Sequence, residues 1–195
     1  MSIEFYDKSG NEFARSTNAI DMSPIYDQFV PLMPAHACIL DAGCGSGRDT
    51  AYFRGLGYDV DAFDASKVIV DAASKFLNSG VRHCSFEEFA TLKHYQGIWA
   101  CASLLHLESS RTAPAIQHLA GFLAMNGFFY ASFKYGKGWR RSQDGRQYLD
   151  LDEPAAIALD QKIPDLVLYK LWTSEDQRSF AAPSKWLNIL WQKVG

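Results

Sequence analysis

The sequence has few cysteines, no long uncharged apolar stretch and no excess of basic residues, and each absence excludes a class of protein. Its four cysteines form no CxxC pair and no zinc-like spacing, so we expect no metal, and reduced thiols in the cytoplasm. No apolar stretch is long enough to cross a bilayer, and the first residues do not resemble a secretory signal. With 19 Lys and Arg against 22 Asp and Glu, the net charge of −3 argues against a nucleic-acid partner. We expect no membrane partner either.

The length of 195 residues is enough for one domain with a substantial core, and we predict a single domain over 1–195. From residue 37 onward, short apolar runs alternate with helical patterns, which is typical of a mostly parallel sheet covered on both faces. The predicted strands are residues 37–40, 58–64, 81–84, 97–102, 128–133, 166–172 and 185–191. No helix separates the last two, so they should pair antiparallel. We therefore predict an α/β fold with a seven-stranded, mostly parallel sheet, an antiparallel last strand and helices on both faces.

The stretch ILDAGCGSGRDTAYF, residues 39–53, joins an apolar strand end to a helix through three glycines at alternate positions. In open α/β proteins such a turn lets a ligand approach the backbone. A P-loop would need a lysine after the last glycine, and a dinucleotide fingerprint would need GxGxxG, whereas this sequence has GxGxG. Asp41 precedes the first glycine by two residues, where a carboxylate would repel phosphate but attract an ammonium group. The pattern favours a cationic ligand such as the amino-acid end of S-adenosylmethionine.

Asp64 is a second acidic candidate, since it ends the predicted strand 58–64, 17 residues beyond Gly47. A carboxylate at this strand end can accept hydrogen bonds from both ribose hydroxyls of an adenosine. The alternative is an exposed turn residue, followed by Ser66 as the cap of the next helix. Together with Asp41 and the glycine turn, the ligand interpretation is favoured.

The motifs ILDAGCGSGRD, FDAS and CASLLHL resemble those of class I S-adenosylmethionine-dependent methyltransferases. The stretches DMSPIYDQF, SFKYG, TSEDQRSF and KWLNILWQK resemble small bacterial tellurite-resistance-type methyltransferases within that class. The resemblance spans nearly the whole chain and implies a Rossmann-like fold with S-adenosylmethionine as cofactor and S-adenosylhomocysteine as product. It implies methyl transfer to a small-molecule acceptor, such as a thiol or a species derived from a tellurium or selenium oxyanion.

The same resemblance implies roles for individual residues along the cofactor. Those expected around the methionine portion are Asp41, Ala42, Gly43, Cys44, Gly45 and Gly47. Those expected around the ribose and adenine are Asp64, Ala65, Ser66, Ser85 and Phe86. Relatives often carry an acid near Ser85 to accept the adenine amino group; here the stretch is Cys84-Ser85-Phe86, so the resemblance implies that a hydroxyl or backbone contact substitutes. Ala102 and Ser103 would pass beside the sulfonium. The amino-terminal segment 1–35 would cover the cofactor through Phe13, Arg15 and Thr17, unless it is only a surface helix.

For the acceptor, His106 follows the fourth predicted strand at the edge where open sheets bind ligands. It can take a proton from the acceptor or orient it, or it can bond a backbone carbonyl in a structural role. Tyr135, Arg178 and Trp186 are the candidates for the acceptor pocket. The basic run KGWRRSQDGRQY, residues 137–148, is interpreted as a solvated loop, although its arginines could instead line that pocket.

Two other functions remain open from the sequence. A non-catalytic S-adenosylmethionine-binding protein is compatible with the lack of an evident base. A nicotinamide-dependent oxidoreductase is compatible with the sheet but opposed by the GxGxG spacing. The oligomeric state is left as monomer or homodimer.

Overall fold

The computed structural model describes residues 17–142, 145–176 and 184–195, in which nine strands form one mixed sheet. In chain order the strands are β1 (Cys38–Ala42), β2 (Asp59–Asp64), β3 (Arg82–His83), β4 (Tyr95–Ala100), β5 (Leu123–Tyr135), β6 (Gly138–Arg141), β7 (Gln147–Leu151), β8 (Leu166–Glu175) and β9 (Lys185–Lys193). The main sheet runs β3-β2-β1-β4-β5-β9-β8. The first five of these strands pair in parallel, and β9 pairs antiparallel with both β5 and β8. The predicted α/β fold with a seven-stranded, mostly parallel sheet is confirmed.

Five α-helices accompany the sheet in the described residues. They are α1 (Ser23–Phe29), α2 (Arg48–Gly55), α3 (Lys67–Leu77), α4 (Ser109–Ala120) and α5 (Glu153–Asp160). Ser66 and Asp152 cap α3 and α5 by accepting hydrogen bonds from the backbone N–H groups of Ile69 and Ala155. A short 3-10 turn, Leu104–His106, follows β4. No helix in the described ranges is long and apolar enough to span a membrane.

The hairpin of β6 and β7 is an addition that the sequence analysis interprets as a solvated loop. Lys134 of β5 pairs with Trp186 of β9 on one edge and with Asp150 of β7 on the other. The hairpin therefore occupies the edge of β5 beyond the end of β4. Strand β6 is exposed, whereas β7 is largely buried. The charged composition of residues 137–148 therefore indicates the exposure of β6 but not the burial of β7.

The core lies on both faces of the sheet. On one face, Trp99 of β4 is fully buried, stacks on Tyr130 with centroids 4.1 Å apart, and meets Phe29 of α1 edge to face at 5.0 Å. This aromatic cluster holds α1 against the sheet. As a result, residue 17 and its neighbours lie next to the turn between β1 and α2, where Thr17 Oγ1 donates to Ser46 Oγ at 3.2 Å.

Candidate active site

A cavity of about 360 Å³ opens at the carboxyl ends of the parallel strands. This is the position at which open α/β sheets bind ligands, and the volume lies in the usual range of small-molecule sites. Of the predicted site residues, the cavity is lined by Thr17, Gly43, Cys44, Gly45, Asp64, Ala65, Ser66, Ser85, Phe86, Ala102, Ser103, His106 and Trp186. Asp41, Ala42, Gly47 and Tyr135 are not on its surface, and Arg178 lies outside the described residues.

The glycine turn between β1 and α2 is shaped by left-handed backbone at all three glycines. Gly43 has φ +76°, and a Cβ there would come within 2.5 Å of the Cβ of Ser103, so no larger residue fits. At Gly45, with φ +54°, a Cβ would meet nothing within 4 Å, so this glycine faces open space in the cavity. Gly47, with φ +83°, caps α2. The turn therefore presents bare backbone to a ligand.

Asp64 ties the end of β2 to this turn. Its two carboxylate oxygens accept hydrogen bonds from the backbone N–H of Gly45 and of Ser66, each at 3.0 Å. Burial raises the pKa of Asp64, and the backbone N–H donors act against that rise by stabilising the charge. Because a carboxylate has about four acceptor positions, these two bonds leave capacity for ligand hydroxyls.

Asp41 lies behind the turn, on β1, and is 1% exposed. The hydroxyl of Thr50 in α2 donates to its carboxylate at 2.5 Å. Burial, and then the negative charge of Asp49, raise the pKa of Asp41 to about 8. Asp41 is therefore largely protonated near neutral pH; it supports the turn from behind through Thr50 and does not contact the cavity.

An ion pair at the start of α2 is a feature that the sequence analysis missed. Asp49 accepts hydrogen bonds from Arg48 Nε at 2.6 Å, from the Tyr26 hydroxyl at 2.5 Å and from Trp99 Nε1 at 2.8 Å. Burial opposes the charge, but Arg48 and these donors outweigh it, and the pKa of Asp49 is lowered. Arg48 also donates to the backbone carbonyl of Thr17 at 3.2 Å. A basic-acidic pair directly after the last glycine was the available sequence signal.

Several residues of the segment 17–25 form one side of the cavity. Besides the bond from Thr17, Ser46 of the glycine turn donates to the Asn18 side chain at 2.5 Å. Thr17, Ile20, Asp21, Met22, Pro24 and Ile25 line the cavity. The predicted contacts of Phe13 and Arg15 lie outside the described residues.

After β3, Ser85 begins a capping box. Its backbone N–H donates to Glu88 Oε2 at 3.0 Å, its hydroxyl donates to the same oxygen at 2.9 Å, and the Glu88 N–H returns to the hydroxyl at 3.3 Å. The Ser85 hydroxyl, which was expected to face adenine, is thus hydrogen-bonded to Glu88. The acid at this edge of the cavity is Glu87, which pairs with Arg111 at 2.7 Å, and both line the cavity.

At the end of β4 the backbone is fixed tightly. Ala102 has φ +51°, which is rare for alanine, and its N–H donates to Ser132 Oγ at 2.8 Å. The Ser103 hydroxyl donates to the carbonyl of Ala42 at 2.7 Å. These two bonds hold the end of β4 against β1 and β5 at the middle of the cavity.

The far end of the cavity contains His106, Lys134 and Trp186. Lys134 Nζ forms a buried ion pair with Asp176 at 2.5 Å and lies 3.8 Å from the centroid of the Trp186 ring. The structure differs from the prediction at Tyr135, which is 42% exposed and donates to Glu153 at 2.9 Å. Successive residues of a strand point to opposite faces, so Lys134 reaches the cavity and Tyr135 does not.

The β6–β7 hairpin closes this far end. Arg146, Gln147 and Tyr148 line the cavity, and the Gln147 carbonyl accepts a hydrogen bond from His106 Nδ1 at 2.8 Å. Of the three arginines in the basic run 137–148, Arg146 therefore lines the cavity, whereas Arg140 and Arg141 are not among the lining residues.

The four cysteines are all free thiols. Cys44 and Cys101 line the cavity. Burial, and then the charge of Asp49, raise the pKa of Cys101 to about 12, which disfavours a thiolate nucleophile. Among the described residues, no group of three or more metal-ligating side chains comes together.

With this geometry established, known proteins provide a comparison. Residues 39–127 match a family model described as a methyltransferase domain, which covers less than half of the chain. No curated protein matches the chain significantly in sequence.

Solved structures share the fold at low identity. One is the 1,6-didemethyltoxoflavin-N1-methyltransferase of Burkholderia thailandensis, solved with bound 1,6-didemethyltoxoflavin and S-adenosylhomocysteine. It is 20% identical with a TM-score of 0.65, over 94% of this chain and 90% of that one. TehB of Haemophilus influenzae is 17% identical with a TM-score of 0.68, over 89% of this chain and 62% of that one. The [4+2]-cyclase SpnF is 14% identical with a TM-score of 0.70, over 89% of this chain and 80% of that one. At these identities the likeness concerns the fold, and a fold of this kind hosts more than one reaction.

Proposed function

We propose that this chain is an S-adenosylmethionine-dependent methyltransferase that acts on a small-molecule acceptor bound in the same cavity. The observation that carries the proposal is the contact between Gly45 N–H and Asp64 Oδ2 at 3.0 Å, on the surface of the cavity. It joins a bare glycine backbone to a buried carboxylate, the two features that an adenosine with a cationic amino-acid tail requires. The match of residues 39–127 to a methyltransferase domain supports the same function.

In this proposal the chain binds and aligns, since the donor is already activated. S-adenosylmethionine supplies an electrophilic methyl group on its sulfonium. Asp64 holds the ribose hydroxyls, and the glycine turn holds the methionine portion with Asp41 behind it. The end of β4, at Ala102 and Ser103, faces the sulfonium. Residues 17–25 help to exclude water, which favours an in-line displacement between two reactants held in contact.

Ala65 and Phe86, which both line the cavity, would hold the adenine ring. The Ser85 hydroxyl is occupied by Glu88, so Glu87 is the better-placed acid for the adenine amino group. Trp186 belongs to the acceptor end, and Arg178 retains its sequence-based assignment there.

The soft acceptors implied by the sequence resemblance are a thiol or a species derived from a tellurium or selenium oxyanion. TehB supports the fold of that group and not its substrate. A cytoplasmic location stays a prediction, in keeping with four free thiols, and so does a monomer or homodimer.

Ligand-induced stabilisation tests the proposal directly. The midpoint of thermal unfolding is measured alone and with S-adenosylhomocysteine, NAD or ATP. A ligand at about 100 times its dissociation constant adds roughly 2.7 kcal/mol, and thus several degrees for a chain of this size. A rise with S-adenosylhomocysteine alone supports the proposal. A rise only with NAD supports the oxidoreductase alternative and contradicts it.

Asp64→Asn then tests the ribose contact. Two hydroxyl bonds to a carboxylate are worth about 1.5–3 kcal/mol each, so affinity for S-adenosylhomocysteine should fall more than tenfold. Asp64 also holds the turn, so the stability of the ligand-free variant is measured alongside. Asp71→Asn, on the exposed face of α3, removes the same charge as a matched control. Equal affinity in the two variants would contradict the ribose assignment.

A further inference from the structure

His106 has a defined tautomer at the acceptor end of the cavity. Its Nδ1 lies 2.8 Å from the backbone carbonyl of Gln147, and a carbonyl can only accept, so Nδ1 carries the hydrogen. In the neutral ring the proton-accepting lone pair is therefore on Nε2. His106 is half-buried and lines the cavity, so the histidine is oriented by the hairpin that closes the site.

The surroundings of His106 are aromatic and charged. The Tyr148 ring lies 5.1 Å from the imidazole, and the guanidinium of Arg146 lies 5.4 Å from the Tyr148 centroid. Across the sheet end, the Lys134 ammonium lies over Trp186. The aromatic rings of Tyr148 and Trp186 at this end favour a planar ligand. The other charged residues lining this end are Glu108, Glu175 and Asp176.

We propose, on the basis of the function proposed above, that the acceptor is a planar aromatic or heteroaromatic compound methylated at a ring N–H or a phenolic O–H, with His106 Nε2 as the proton acceptor. A thiolate or selenide needs no positioned base, because it is already a strong nucleophile near neutral pH. An aromatic N–H or O–H must lose its proton as it attacks, and an oriented imidazole serves that need.

The reaction balances with these groups alone. The acceptor proton passes to His106 Nε2 while the nitrogen or oxygen lone pair forms the new bond to the methyl carbon. The bond between that carbon and the sulfonium breaks, and its electron pair stays on sulfur, giving neutral S-adenosylhomocysteine. The imidazolium then releases its proton to water. Arg146, which lines the cavity, stabilises the negative charge that develops on the acceptor, whereas the Lys134 ammonium is already paired with Asp176.

Binding to the chain loaded with S-adenosylhomocysteine tests the acceptor class. The planar probes are phenol, 2-naphthol and benzimidazole, which keep their O–H or N–H proton near neutral pH, and the soft probes are 2-mercaptoethanol, selenite and tellurite. We expect at least one planar probe to bind at least tenfold more tightly than every soft probe. Equal or tighter binding of a soft probe, or no binding of any planar probe, overturns the proposal. Since loading with S-adenosylhomocysteine is measured first, failure of the cofactor function is seen separately.

His106→Asn tests the proton acceptor. The asparagine amide can still donate to the Gln147 carbonyl from the position of Nδ1, but it has no group at the position of Nε2. With the bound planar probe and S-adenosylmethionine, we expect kcat/KM to fall about 100-fold or more and to lose the histidine step between about pH 5 and 8. Affinity for S-adenosylhomocysteine should be unchanged, which shows that the site is intact. An unchanged kcat/KM and pH profile, or a planar probe that binds without being methylated by the parent chain, overturns the role of His106.

Discussion

Replacement of Asp41 by asparagine should change how stability depends on pH. The carboxyl is 1% exposed, and burial with the charge of Asp49 raises its pKa from 3.8 to about 8. Between these two values the folded chain keeps the Asp41 proton and the unfolded chain loses it. The free energy of unfolding therefore decreases as pH rises through this window.

The magnitude follows from proton linkage. One group contributes at most about 1.4 kcal/mol per pH unit, so Asp41 should cost on the order of 3 kcal/mol of stability between pH 5 and pH 7. Asparagine keeps the acceptor for the Thr50 hydroxyl and cannot ionise. The variant should therefore gain stability relative to the parent chain as pH rises.

Urea unfolding at pH 5, 6, 7 and 8 measures this difference. Other groups titrate in the same range. At each pH we therefore subtract the free energy of unfolding of the parent chain from that of the Asp41→Asn variant. Asp71→Asn removes a carboxylate from an exposed ion pair and should give a nearly constant difference. If the Asp41→Asn difference is also independent of pH, the account of Asp41 as a buried, proton-holding carboxyl is refuted.

Two further substitutions test the packing around the cavity. Gly43→Ala should destabilise the chain and weaken S-adenosylhomocysteine binding, because the new Cβ meets a side chain at 2.5 Å on a backbone with φ +76°. The control Gly55→Ala adds a Cβ in a helix with nothing within 4 Å, and it should be neutral or slightly stabilising. Thermal unfolding with and without ligand compares them. Lys134→Met should cost about 3–5 kcal/mol in urea unfolding because it leaves the buried Asp176 carboxylate without its ion pair, whereas the exposed control Lys67→Met should cost less than about 1 kcal/mol. Equal losses within either pair would contradict the packing described for it.

The fold could be predicted because each element carries its own local signal. The buried strands read as short apolar runs, Ser66 caps α3, and the glycine turn follows β1 in the sequence itself. These patterns repeat in the order strand, helix, strand, and only a parallel sheet buries all of them. The β6–β7 hairpin was missed because half of its residues face water, so its composition is that of a loop.

The candidate site was predictable in part, for the same reason. The glycine turn and Asp64 belong to one contiguous motif and to the end of the next strand, and both line the cavity. Asp41 belongs to the same motif, but strand geometry places it behind the turn, bonded to Thr50. No local sequence pattern predicts which side of a strand end faces a cavity. Lys134 and Tyr135 are neighbours in β5, but only Lys134 lines the cavity.

By itself, the sequence determined the order of the elements, the glycine turn and the acidic residues beside it, because these depend on neighbours within a few positions. Only the tertiary structure decided which charges are paired and which side chains meet across the cavity. The contact of His106 with Gln147 spans 41 positions, and that of Lys134 with Asp176 spans 42. Such contacts arise from the packing of separate strands at one sheet edge, and that packing is a property of the whole chain.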